Sequence, residues 1–173
     1  MRRRASCILT IVSAARIRSM TTAINKATSD DIPALVDLMH EFYAESHYPL
    51  DRRWAAASFS GLLGDDSRGA AWLVSHEGGP AGYVVLTVRH SMEYGGLDAF
   101  IDDLFIRPAH RRRGLGRVLL DALFAECERR VVLAVHVEVG RDNAAAQALY
   151  RGYGLEVHDA SRETLTVRLG GGA

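Results

Sequence analysis

Apolar residues recur at helical spacing in Ile32, Leu35, Leu38, Met39 and Phe42, which predicts a helix running to about Glu45. Thr28, with Asp31 three residues on, is a capping-box-like start for it. Residues 22–27 just upstream read as a short strand. After the break at His47, Tyr48, Pro49 and Leu50, residues 52–63 read as a second helix that Gly64 ends. Residues 70–76 and 81–90 are strand-like, and Glu77-Gly78-Gly79-Pro80 between them makes a hairpin turn. A glycine-containing loop, 92–98, leads to a strongly apolar strand at 99–107, which Asp102 and Asp103 interrupt. A helix at 114–129, a β-branched strand at 131–139 and a helix at 143–150 follow. Residues 155–158 and 163–169 read as a final strand pair. The order β-α-α-β-β-β-α-β-α-β-β predicts an α/β (α+β) chain with a mixed sheet covered by helices.

Composition narrows the class. The chain has 173 residues, 48% of them hydrophobic and 24% charged, as in a globular domain with a real core. Basic and acidic residues balance at 21 each, but Arg2, Arg3, Arg4, Arg16 and Arg18 fall in residues 1–20, which hold no acid. The remainder therefore has a net charge of −5, which argues against nucleic acid as the main partner. Residues 1–20 are expected to be an extension ahead of a single domain at 21–170. A signal peptide fits less well, because the apolar stretch Cys7 to Val12 is short and Arg16 and Arg18 follow it. Cys7 and Cys127 form neither a metal spacing nor a disulfide framework, so the expectation is a cytoplasmic protein without a metal. No apolar run approaches the length of a membrane span, so no membrane partner is expected either.

Two segments carry candidate chemistry. In the first, a strand ends at Arg107-Pro108 and a loop, Arg111-Arg112-Arg113-Gly114-Leu115-Gly116-Arg117, opens a long helix. The first turn of a helix leaves about four N–H groups unpaired, and the macrodipole favours an anion there. Glycines without Cβ let a phosphate approach the backbone, and the arginines add positive charge. This predicts a pyrophosphate site. No Gly-Lys-Ser/Thr follows, so it is not a P-loop. In the second segment, Asn143 and Tyr150 are two helical turns apart and share a face. A parallel pairing of the two preceding strands would bring this helix start to the same sheet edge as the arginine–glycine loop.

The apolar strand, the Arg111-x-x-Gly114-x-Gly116 loop, and Asn143 with Tyr150 resemble the GNAT superfamily of N-acetyltransferases over about residues 22–168. The resemblance implies a mixed, mostly antiparallel central sheet, splayed between strands 99–107 and 131–139, with helices on both faces and acetyl-CoA in the gap. It implies that the backbone of Leu104, Phe105 and Ile106 pairs with the pantetheine arm. It further implies that residues Arg111, Arg112, Arg113, Gly114, Leu115, Gly116 and Arg117 hold the pyrophosphate, and that Asn143 contacts the cofactor arm. Tyr150 would protonate the leaving thiolate. A homodimer is compatible with it. Direct attack needs no covalent enzyme intermediate, and Cys127, among Leu123, Phe124 and Ala125, reads as a buried structural thiol.

An alkyl ammonium, with a pKa of roughly 10.4, must lose a proton before it can attack, so an acceptor carboxylate or His is required. Alternation sends Asp102 and Asp103 to opposite faces. Asp102, two residues before Leu104, is the expected base, while Asp103 is expected to serve stability. His136 and Glu138 are alternative bases, and His90 and Glu93 are candidates for the substrate mouth. Phe42, Tyr43, Glu45, His47, Tyr48 and Asp51 lie where the resemblance puts the acceptor wall, a mixture suited to a small cationic amine. The alternatives are an acetyltransferase for protein N-termini or lysines and a non-catalytic acyl-CoA-binding module.

Overall fold

The computed structural model describes residues 22–157, 161, 164–167 and 169. The expected extension at 1–20 lies outside the described residues. The elements are β1 (Thr22–Lys26), α1 (Ile32–Glu45), α2 (Arg52–Leu63), β2 (Gly69–His76), β3 (Gly79–Ser91), β4 (Gly96–Ile106), α3 (Leu115–Arg129), β5 (Ala134–Val137) and α4 (Ala144–Arg151). Local chemistry sets their ends. The Asp31 carboxylate accepts from the Thr28 N–H at 2.9 Å ahead of α1. Asp51 accepts from the N–H groups of Arg53 and Trp54 to cap α2, which Gly64 terminates.

The five strands form one sheet in the order β1-β2-β3-β4-β5. The first four are antiparallel, and β5 joins β4 in parallel. Both faces are covered, as β2 records in its sequence: Ala70, Trp72 and Val74 pack toward one cluster, Ala71 and Leu73 toward the other. The first cluster includes Leu115, Leu119, Leu120, Leu123 and Cys127 of α3. Full burial of each such leucine is worth about 1.5–3 kcal/mol. The second joins Leu35, Leu38 and Met39 of α1 and Phe59 of α2 to Tyr83 and Phe105 of the sheet.

Three expectations are corrected. The strand expected over 131–139 is only Ala134–Val137. Val131 has a φ of +58°, and the Val132 N–H donates to Cys127 O, so 131–133 are spent in turning off α3. The final strand pair is not formed among the described residues of 155–169, which carry no strand; residues 158–160, 162–163 and 168 lie outside the described residues.

The third correction lies within β4. Asp103 is opposite Val85 while Ile101 is opposite Leu86, so Asp102 is an extra residue in a β-bulge. The bulge shifts the alternation: Ala99 and Ile101, then Ile106, belong to the α3 cluster, while Phe105 belongs to the α1–α2 cluster. Asp102 and Asp103 are therefore not separated onto opposite faces. Both line one cavity, and both push up the pKa of Tyr43 on α1.

Candidate active site

The sheet opens where β4 and β5 part. Pairing runs only from Asp98 with Ala134 to Ile101 with Val137. Beyond it, residues 103–106 keep β3 on one side and, among the described residues, have no strand on the other. A cavity of about 740 Å³ occupies the fork. Its walls are Ile101 to Leu104 of β4, residues 137–140 at the end of β5, Asn143, Ala146 and Tyr150 at α4, and Phe42, Glu45 and Tyr48 at α1. Five carboxylates line it, Glu45, Asp102, Asp103, Glu138 and Asp142, and no Lys, Arg or His does so among the described residues. Of these, Glu45 is already paired, with Arg111 at 2.6 Å. No group of three or more His, Cys, Asp or Glu is placed to hold a metal ion among the described residues.

The two aspartates differ in setting. Asp102 is exposed and has no hydrogen-bond donor among the described residues. Burial, and then the nearby Glu138 carboxylate, raise its pKa. Asp103 accepts from the Tyr83 hydroxyl through Oδ2 at 2.9 Å. Burial pushes it up to about 6, against the Tyr83 bond and with help from Asp102. Tyr83 is fully buried, edge-on to Phe59 at 6.2 Å. Burial and Asp103 hold its own pKa far above the ordinary phenol value.

Tyr150 is 7% exposed and lines the fork. Its hydroxyl has no partner among the described residues. Burial first, and Asp103 second, push it up to about 12, so it keeps its proton at neutral pH. Just past the helix that carries it, Tyr153 donates to Asp121 at 2.6 Å and stacks on Phe124 at 5.1 Å, tying this end of α4 to α3. Asn143 caps α4, its Oδ1 accepting from the Ala146 N–H at 3.1 Å, and it also lines the cavity.

The loop before α3 is a row of backbone donors. Gly114 takes a φ of +81°, the left-handed region, and starts the helix without a side-chain cap. The N–H groups of residues 112–116 have no acceptor among the described residues; those of Arg117 and Val118 donate to Gly114 O. A Cβ built on Gly114 would meet nothing within 4 Å, whereas one on Gly116 would lie 3.1 Å from Leu149. Gly114 therefore keeps the donor row open, and Gly116 allows α3 and α4 to pack closely.

The four arginines are not equivalent. Arg111 is held by Glu45 and by Ile106 O, and lies over the Phe105 ring. Arg113 reaches Glu77 at 3.3 Å and the His76 ring at 3.2 Å. Arg112 and Arg117 form no ion pair among the described residues.

Of the remaining expected residues, Leu104 lines the fork, while Phe105, Ile106 and Leu115 are buried in the cores on either side. His136 lies 3.3 Å from Asp98, away from the fork, and Glu138 is in it. Tyr83 and Asp142 escaped the sequence reading. Tyr83 is indistinguishable there from any aromatic of a buried strand. The bulge had a visible signal, because the α3-facing residues Ala99, Ile101, Leu104 and Ile106 step by two, three and two.

Residues 32–155 match the family profile described as acetyltransferase (GNAT) family. The fold and the match together place the chain in that family, to which it belongs. Over 57 residues it is 44% identical to a ribosomal protein bS18-alanine N-acetyltransferase of Salmonella typhimurium. That stretch is 33% of this chain and spans only 38% of the relative's length. The integron cassette protein HFX_CASS3, from the mobile metagenome of Cole Harbour Salt Marsh, superposes with a TM-score of 0.76 at 36% identity. The superposition covers 86% of this chain and 91% of that one. An aminoglycoside N-acetyltransferase, AAC(6')-Iy, solved in complex with CoA, superposes at TM-score 0.73 and 16% identity, covering 88% and 97% of the two chains, a likeness of fold alone.

Proposed function

We propose that the chain is an N-acetyltransferase that moves an acetyl group from acetyl-CoA to a primary amine of a small cationic molecule by direct attack. The carrying observation is the fork itself: an acid-lined cavity between β4 and β5, with an unpaired row of N–H donors at the start of α3.

The residues present fit acetyl-CoA. The donors of residues 112–116, the open space at Gly114 and the charges of Arg112 and Arg117, which pair with no described residue, suit a pyrophosphate. The unpaired edge of 102–106 offers backbone partners to an extended arm. Bound there, acetyl-CoA would supply an activated acetyl thioester. The chain's own work is then proton handling and charge. Carboxylates in the fork attract an ammonium group and take its proton. Backbone N–H groups near Ile106 are the natural donors to the developing oxyanion. Tyr150 Oη, protonated and without a competing partner among the described residues, holds a proton for the departing sulfur. Cys127 takes no part; burial pushes its thiol up to about 11.

A second reading, a protein N-terminus as acceptor, draws support from the name of the Salmonella relative. The net acidity of the cavity favours the small cation. The deciding measurement is thiol release from acetyl-CoA over a panel of diamines, aminoglycosides and alanine-initiated peptides. Turnover with peptides alone would replace the first reading by the second. Gly114→Asp puts a side chain and a negative charge into the donor row, so calorimetry should show acetyl-CoA affinity lost in a folded variant. Unchanged affinity would remove the cofactor site from this loop.

A further inference from the structure

The bulge in β4 sets two carboxylates side by side in one cavity, and among the described residues only one of them has a hydrogen-bond donor. Asp103 Oδ2 is fixed by Tyr83, while Oδ1 has no donor among the described residues. The Tyr83 ring is itself fixed, between Phe59 and Phe105 in the α1–α2 core. Asp102 has no such anchor. It is exposed and neighbours Glu138 across the fork. The groups facing Asp103 come from every wall: Tyr83 from β3, Asp102 from its own strand, Tyr43 from α1 and Tyr150 from α4, with Glu138 of the segment after β5 beyond Asp102. None of them is a cation.

We propose that Asp103, rather than Asp102, accepts the proton of the acceptor amine, that Tyr83 is its positioning residue, and that Asp102 and Glu138 hold the ammonium charge. The proposal rests on the acetyltransfer reading. An ammonium group loses two protons on becoming an amide. The first leaves nitrogen for Asp103 Oδ1, and its bonding pair stays on nitrogen as the attacking lone pair. The second ends on the released thiol by way of Tyr150. Asp103 then returns its proton to water, so no further reactant is needed. The division follows from environment. A proton acceptor works best with a pKa near the working pH, whereas an anchor for a cation must remain charged. Burial and the fixed Tyr83 bond fit Asp103 for the first role, while Asp102, solvent-accessible beside Glu138 and without a donor among the described residues, makes with it a paired carboxylate site for the second.

The test has one arm that needs no acceptor. The full chain, labelled with ¹³C at the aspartate carboxyls and assigned with Asp102→Asn and Asp103→Asn, should show Asp103 titrating above Asp102. Tyr83→Phe removes a hydrogen bond to the charged form and should move Asp103 further up, whereas Asp102→Asn should move it down. The second arm is the pH profile of thiol release with the best amine of a panel containing putrescine, an aminoglycoside and an alanine-initiated peptide. Asp103→Asn should lower kcat on the order of 10²-fold with acetyl-CoA affinity intact. Tyr83→Phe should shift the acid limb in step with the carbon titration. Asp102→Asn and Glu138→Gln should act mainly on the amine KM. An Asp103 resonance titrating at or below that of Asp102 overturns the assignment, as does an Asp103→Asn variant that turns over like the parent. A parent that binds no acetyl-CoA, or releases no thiol with any amine, overturns the underlying reading instead.

Discussion

The two halves of β4 each draw a carboxylate in from solvent, Asp98 fully and Asp103 in part, five residues apart, and treat it in opposite ways. In the half that lies between β3 and β5, Asp98 is 0% exposed and receives three hydrogen bonds from Arg89, the shortest at 2.8 Å. His136 approaches it at 3.3 Å. Its pKa is lowered, the Arg89 bonds outweighing burial. In the half that has lost β5, Asp103 has a phenol and, among the described residues, no cation, and burial pushes it up to about 6. Burial is therefore not what makes a carboxylate chemically ready. A cation at Asp98 ties the charge into the fold. Its absence at Asp103 leaves a group whose protonation can change near neutral pH.

The largest test of this contrast belongs to the open half. Tyr150→Phe keeps the ring and removes the proton, so turnover should fall on the order of 10²- to 10⁴-fold while acetyl-CoA affinity changes little. If single-turnover rates are unaffected, water protonates the sulfur and the tyrosine is only packing. In the closed half, Arg89→Ala should act on stability. It strands a fully buried carboxylate, at a cost of about 3 kcal/mol. This is the low end for buried pairs, since Arg89 is itself 61% exposed. Urea denaturation at pH 7 measures the loss; an unchanged midpoint would mean that His136 alone suffices.

Asp103→Asn should act in the opposite direction on stability. The folded-state pKa of Asp103 is raised from 3.8 to about 6. Its contribution is thus fully present below about pH 4 and lost as pH rises through 6, a difference of about 3 kcal/mol at most. The variant should melt above the parent at pH 7 and level with it near pH 4. For Asp98, with its lowered value, the contribution is present at neutral pH and lost only in acid. The smallest effect is expected at Gly116→Ala. Leu149 must give way by a few tenths of an ångström, offset by better helix propensity, for a net change within about 1 kcal/mol. Loss of acetyl-CoA binding in that variant would show that Gly116, and not only Gly114, meets the ligand.

Much of this arrangement can be read from the residues. Thr28 and Asp31 mark the start of α1, Gly64 marks the end of α2, and Gly114 marks the turn into α3. These signals are local, each a few residues acting on their own backbone. The pairing of Arg111 with Glu45 and of Arg113 with Glu77 is not local, and the sequence alone makes all the loop arginines look equally free. The same applies to Asp103. Its partner Tyr83 is twenty residues away on another strand, and strict alternation, extended through Asp102, sends the carboxylate to the wrong side. The parting of β4 and β5 is also invisible locally, because Val139 is as suited to a strand as Val137.

The extra residue in β4 works as a frameshift in the side-chain pattern. Upstream of it the strand is in one phase with its two cores, and downstream in the other. Deleting Asp102 would therefore leave regular pairing, with Asp103 still opposite Val85 and with Phe105 and Ile106 still in their own clusters. Pulling Asp102 into the ladder without a deletion would do the reverse: one continuous phase would turn Ile106 out of the α3 cluster and Phe105 out of the α1–α2 cluster, exchanging an aliphatic and an aromatic side chain between interiors built for the opposite shapes. The tract can thus lose its extra residue and keep its phase, whereas a flattened bulge is felt by both cores.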